Sequence, residues 1–440
     1  MDGIKPSPIT GFFPHQEDHI YTRVIWRLVP FLFVFYVVAY LDRVNIGFAK
    51  LDMLADLNWT DTIYGLGAGL FFLGYFVFEI PSNLILYRIG PRRWLAAMMV
   101  LWGLLSAGMM FVKTPEVFYA LRFTLGLAEA GFFPGIIFYL TRWFPRQRRA
   151  RVTALFMTAV AISGIIGGPL SGWIMETCHD WYGLNGWQWL FLLEGLPSVL
   201  LGLLLPLVLD DSIRSARWLD EKEKKMLEHY LADETGQGDR ISIAATLAHG
   251  RVWLLSAVYF LFVMGLYGIG FWLPQIIRTS GVANLLQVGL LSAIPYGIAA
   301  VAMIIIGKHS DRTGERRGHI LACGILGSVG LILGALFGDS TILAMIALTL
   351  ATTGVLTALP IFWALPGEFL GGTAAAVGIG LINSIGNLAG FVSPYMVGYL
   401  KDHTGSTSAG LYIIAASVLL GGLIALIPHR PQTDPALALR

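Results

Sequence analysis

Twelve apolar segments run along the chain, each near the ~20 residues that a helix needs to cross a bilayer. They lie at 24–45, 62–87, 94–112, 116–140, 152–176 and 187–209, then at 252–277, 285–308, 318–337, 341–368, 373–400 and 409–428. Most connections between them are short and rich in charge, Gly or Pro. One exception, 211–250, is polar, is predicted helical over 217–232, and splits the spans six and six. Only 13% of the residues are charged, against about 25% in soluble chains. The 51 glycines suit close helix packing in lipid. The organisation predicted is an N-terminal tail (1–22), a first bundle (23–210), a central loop (211–250), a second bundle (251–428) and a tail (429–440).

The basic residues orient the chain. With the N-terminus inside, twenty-four Lys and Arg fall in segments on the inner side. Four fall outside: Lys50, Lys113, Arg278 and Lys401. Such a bias places both termini in the cytoplasm. Two basic residues then remain at membrane depth, Arg43 and Arg122. The first 20 residues are polar, with no cleavable leader expected, so the first span stays as an anchor. The basic run 142–151 reads as topology and lipid-headgroup contact rather than a nucleic-acid site.

Charges at depth are costly and mark partners or water-filled paths. Arg122 and Glu129 are seven residues apart, hence on one helix face and roughly 10 Å apart along the axis. Asp42 and Arg43 are adjacent, so they point about 100° apart. Arg122 suits a bidentate contact with a substrate carboxylate; the alternative is a structural ion pair with Glu129 or Asp42. Arg43 either lines a cavity or pairs at its edge. For Glu129 and Asp42 the choice is between proton coupling and a fixed counter-ion. Glu79 reads as a gate-region cap or ion pair, Glu194 as structural, and Glu368 as a partner of the inner loops. Tyr75, Tyr267, Gln275, Trp363, Asn383 and Asn387 are candidates to line a substrate pocket, with packing as the alternative for the aromatics. Cys178 and Cys323 read as small packing residues. The nine His show no ligand spacing, and no nucleotide loop, hydrolase elbow or metal motif is evident.

The halves repeat weakly: NLILYRIGPRRW after the second span matches GKHSDRTGERRG after the eighth. In the second copy Gly307, Asp311, Arg312, Gly314, Arg316 and Arg317 fit the loop pattern of the major facilitator superfamily. The first copy is degenerate, with Asn83 and Tyr87 at the Gly and Asp positions, while Arg88, Gly90 and Arg92 remain. Arg122 with Gly126, and SGIIGGPLSG (163–172), resemble further motifs of that family. The resemblance covers about 24–428. It implies an all-α integral membrane protein of 12 transmembrane helices in two six-helix bundles.

LDRVNIGFA (41–49), FFLGYFVFEIPSNLIL (71–86), LRFTLGLAEAGFFPG (121–135) and YGIGFWLPQII (267–277) resemble the anion:cation symporter branch, with its permeases for tartrate, sugar acids and phthalate. That resemblance implies protonation at Asp42 and Glu129, and anion contact and internal charge pairing at Arg43 and Arg122. The function expected is proton-coupled uptake of a small organic carboxylate by alternating access, by a monomer in the inner (plasma) membrane. Protons serve as coupling ion, and no other cofactor or metal is expected. Exchange of two carboxylates is the alternative. An enzyme or sensor is a remote one, since no catalytic constellation or signalling domain is evident.

Overall fold

A computed structural model describes residues 14–145, 148, 152, 156, 158–235, 249–366 and 372–427. Glu368 and the basic residues Lys5, Arg146, Arg149, Arg151, Arg240, Arg430 and Arg440 lie outside them.

Sixteen α-helices are described. The first half holds α1 (Pro14–Val44), α2 (Ile46–Leu57), α3 (Asp61–Ile89), α4 (Pro91–Gly108), α5 (Pro115–Glu129), α6 (Phe132–Thr141), α7 (Ala159–Thr177) and α8 (Gly186–Val208). The connection carries α9 (Glu221–Thr235). The second half holds α10 (Gly250–Thr279), α11 (Leu285–Thr313), α12 (Arg317–Leu336), α13 (Thr341–Phe362), α14 (Gly372–Asn387), α15 (Ala389–Thr404) and α16 (Ser408–Ala425). Large apolar side chains face outward all around the molecule, among them Ile80, Leu84, Leu207 and Ile342. A helix apolar on every side has lipid as its outer solvent.

Among the described residues eleven helical runs are long and apolar enough to cross a membrane. The segment predicted as the eleventh span, 373–400, is broken at Leu388 into α14 and α15, each of 16 residues. The first run extends well past the predicted span, from Gln16 to Leu57, with the junction of α1 and α2 at Asn45. Part of the predicted tail is therefore helix: Ile20 and Tyr21 are buried, and Tyr21 packs on Phe144. Lys50, predicted in an outer loop, sits on α2 and is 1% exposed. Helix α9 starts four residues later than predicted and docks on α1. Arg23 pairs with Glu223, and Tyr230 donates to Glu17 at 2.9 Å.

The halves meet most tightly where α7 crosses α11. A Cβ on Gly168 would come within 2.7 Å of the Gly289 carbonyl, and one on Gly172 within 2.4 Å of the Leu285 carbonyl. The glycine-rich 163–172 segment thus lets two backbones touch, a packing that any side chain would prevent. The two repeated turns share a different use of glycine. Gly90 ends α3 at φ +91° and Gly314 ends α11 at φ +67°, a region where a Cβ is strained. The two turns share a positive φ but not a conformation: ψ is 152° at Gly90 and 1° at Gly314.

Candidate functional site

Three helix breaks converge on the middle of the molecule. Arg43 is the next-to-last residue of α1, Glu129 the last of α5 and Asn387 the last of α14. Broken helices at membrane depth are tolerated where protein or a cavity satisfies the freed backbone groups. A cation near the end of α1 also complements the negative pole of that helix.

Arg43 and Glu129 form a buried ion pair. Arg43 also donates to the Tyr267 hydroxyl of the second half at 3.4 Å, and that hydroxyl donates to Asn387 Oδ1 at 3.4 Å. The guanidinium lies 5.6 to 5.8 Å from the ring centres of Tyr40, Phe71 and Tyr75, within cation–π range. The pair is thus the end of a chain, Glu129–Arg43–Tyr267–Asn387, that crosses from one half to the other.

Arg122 is as deeply buried but is differently held. Its Nε donates to the Gly67 carbonyl at 3.3 Å and its Nη2 to that of Ala68 at 3.4 Å, with Phe71 5.0 Å away. These contacts fix α5 to α3. The carboxylate that an i, i+7 spacing made available to Arg122 is taken by Arg43 instead.

Asp42 faces away from this centre, into the first half. Trp102 Nε1 (3.2 Å), Ser106 Oγ (2.9 Å) and Ser198 Oγ (2.5 Å) all donate to it. Glu79 joins the halves a second time, accepting from Ser384 Oγ at 2.7 Å and from Asn383 Nδ2 at 3.4 Å. Asn383, a pocket candidate, thus meets a carboxylate of the protein itself. Trp363 caps α13 and packs edge-on against Tyr259 at 4.8 Å. Gln275 lies well away from the centre, in a recess of about 360 Å³ at the end predicted to face outward.

That outer end is closed by charges. Lys50 and Lys401 both pair with Asp61, at 2.7 and 2.9 Å. Asp402 accepts from the backbone N–H groups of Asp61 (3.1 Å) and Thr62 (2.7 Å), capping α3 from the second half. Arg278 pairs with Asp52 at 2.7 Å. Lys50 Nζ lies 3.1 Å from the Trp272 ring centre. At the opposite end, the repeated turns pair within their own halves. Arg316 holds Asp311 at 2.5 Å; Arg92 donates to the Pro206 carbonyl and lies 3.9 Å from Asp211. Arg88 and Arg312 are exposed there, and a Cβ added at Gly307 would meet nothing within 4 Å.

Sequence reasoning missed Tyr40, Phe71, Ser384 and the outer-end cluster. Tyr36, Tyr40 and Arg43 are spaced four and three apart, so they form one stripe of α1; that signal was present. Nothing local marks Lys50, Asp61, Lys401 and Asp402 as neighbours.

A polytopic helical molecule in two halves, joined through a buried ion pair at helix breaks and locked at one end by charges, is built as a membrane transporter. The signature of the Major Facilitator Superfamily matches residues 32–394, and the chain belongs to that family. It is similar to a protein of Agrobacterium vitis provisionally named a tartrate transporter, at 48% identity over 95% of this chain and 96% of that one. It is also similar to a quinolone resistance transporter of Acinetobacter baumannii, at 40% identity over 94% and 95%. Among solved structures, a bacterial homolog of the human lysosomal transporter Spinster, inward-facing and unoccupied, superposes with TM-score 0.71. It shares 16% identity, with 91% of this chain and 94% of that one covered, a likeness of fold. The protein is therefore a multi-pass membrane transporter and not an enzyme.

Proposed function

We propose that this chain takes up a small organic carboxylate together with protons, by alternating access. The observation that carries the reading is the buried Arg43–Glu129 pair, tied to the second half through Tyr267. An ion pair at membrane depth is stable while both members are present, and losing one leaves an uncompensated charge. Protonation of Glu129 removes its charge and frees Arg43 for an incoming carboxylate, which an Arg can hold with two parallel hydrogen bonds. The Glu129 carboxylate and the substrate carboxylate are then alternative partners of one guanidinium, so the anion is held only while Glu129 carries the proton. Arg122, fixed to the α3 carbonyls, supplies positive potential and keeps α5 in register.

The carboxylate class draws support from the relatives' names. Tartrate is a dicarboxylate, and quinolone drugs carry a carboxylate on an aromatic ring. The rings of Tyr40, Phe71 and Tyr75 around Arg43 suit either a hydroxyl-bearing or an aromatic acid. Export is the second reading, and the Acinetobacter relative named a quinolone resistance transporter is what favours it. The two readings differ in the sign of the flux under an inward proton gradient.

The test is uptake of tartrate into proteoliposomes under such a gradient. Glu129→Gln should lose proton-driven accumulation while retaining exchange of internal for external tartrate. Wild-type accumulation by Glu129→Gln overturns the coupling assignment, and gradient-driven loss of tartrate from the vesicles establishes export.

A further inference from the structure

We propose that Asp42 and Glu194 form one buried acid pair that holds a proton between them, seated on Glu194, as a proton site separate from the Arg43–Glu129 centre. Asp42 and Asn45 stand at the end of α1, opposite Glu194 and Ser198, which are four residues apart and share a face of α8. Ser198 donates to Asp42 across this interface, and Glu194 lies one turn of α8 from that hydroxyl. Both acids are almost wholly inaccessible, at 2% and 3% exposure.

Among the described residues, their surroundings hold neutral donors and no cation. Helix α4 offers Trp102 and Ser106, and α7 offers Ser171, which donates to Glu194 Oε1 at 2.8 Å. The Met109–Phe111 turn brings only apolar side chains. The charges of α2 are directed elsewhere: Lys50 to Asp61, Asp52 to Arg278, and Asp56 to Asn185 and Trp187 at the outer end of α8. The nearest ionisable group beyond these, Glu129, is another acid, and it is paired with Arg43, which is turned to it and away from Asp42.

Two carboxylates cannot both ionise in such a place, because each would cost several kcal/mol of lost hydration with no countercharge. The donors decide which one keeps the proton. Asp42 receives three hydrogen bonds, enough to carry a negative charge. Glu194 receives one, and its Oε2 is buried without a hydrogen bond. A proton on Oε2 turns that bare oxygen into a neutral hydroxyl and removes the uncompensated charge. The pair rests on this geometry alone and stands whether or not the carboxylate-uptake reading holds.

Infrared spectroscopy of the purified protein in lipid nanodiscs tests it without transport. At neutral pH the native protein should show the C=O stretching band of a protonated buried carboxyl, lost in Glu194→Gln and retained in Glu129→Gln. Ser171→Ala, which keeps both carboxyls, should shift the band in frequency and so covers the case in which Glu194→Gln fails to fold. A native protein without the band, a band intact in Glu194→Gln, or one unmoved by Ser171→Ala overturns the proposal.

Discussion

Arg43 is held from three sides: a carboxylate, a phenol of the opposite half and a set of aromatic faces. Arg43→Gln should therefore do more than remove a charge. It strands Glu129, which breaking a buried pair sets at about 3–5 kcal/mol, and it cuts the link to Tyr267. Uptake assays should show loss of transport by more than ~100-fold, since 1.4 kcal/mol is a factor of ten. Arg43→Lys keeps the charge but has no planar fork, and it should retain exchange only weakly. Arg122→Lys should act otherwise. Its loss falls on the α3 carbonyls, so a lowered thermal midpoint should accompany any fall in uptake.

At the scale of elements, the outer ends of α2, α3 and α15 form a charge latch. Asp61 is shared by Lys50 and Lys401, so Asp61→Asn leaves the wholly buried Lys50 ammonium unpaired. We expect this variant to favour the state open at that end, read as faster labelling of a cysteine placed at Thr60. Asp402 makes the pH behaviour of the latch specific. Burial pushes its carboxyl up, but hydrogen bonds from Thr62 and from the Asp61 backbone outweigh this and hold it below the ordinary 3.8. A depressed carboxyl contributes stability above its unfolded value, lost only as pH falls through the lower native one. Its share of the latch therefore persists under mild acid. Asp402→Asn should lower the thermal midpoint equally at pH of about 5 and about 8; a deficit seen only at the higher pH would contradict this.

For the whole molecule, the closed outer latch and the separate pairing of the two inner turns describe one end shut while the other is free to part. A ligand that binds this native state should raise its apparent stability, by about 2.7 kcal/mol at a hundred times its dissociation constant. A thermal-shift screen across carboxylates, repeated with Arg43→Gln, should show stabilisation by some acids in the native protein and none in the variant.

How far the sequence went follows from the range of the forces involved. Spans and helical class were legible because hydropathy and helix-ending chemistry act over a few residues; Gly90 and Gly314 both take the positive φ that favours glycine, although their turns differ in ψ. The four charges at depth were legible because each is costly in lipid whatever it touches. Their partners were not. Asp42 and Arg43 are neighbours in the chain and yet belong to different clusters, and Glu129 meets Arg43 rather than Arg122. Asn383 contacts Glu79, and Lys50 lies buried on a helix that was read as a loop. Those choices depend on where helices break and which faces meet, and they are made by contacts between residues as far apart as Arg43 and Tyr267. The sequence by itself determined that the chain crosses the membrane in two related halves and carries charge into its interior. Only the tertiary structure decided which charge answers which, because pairing is set by distances in space that local pattern does not encode.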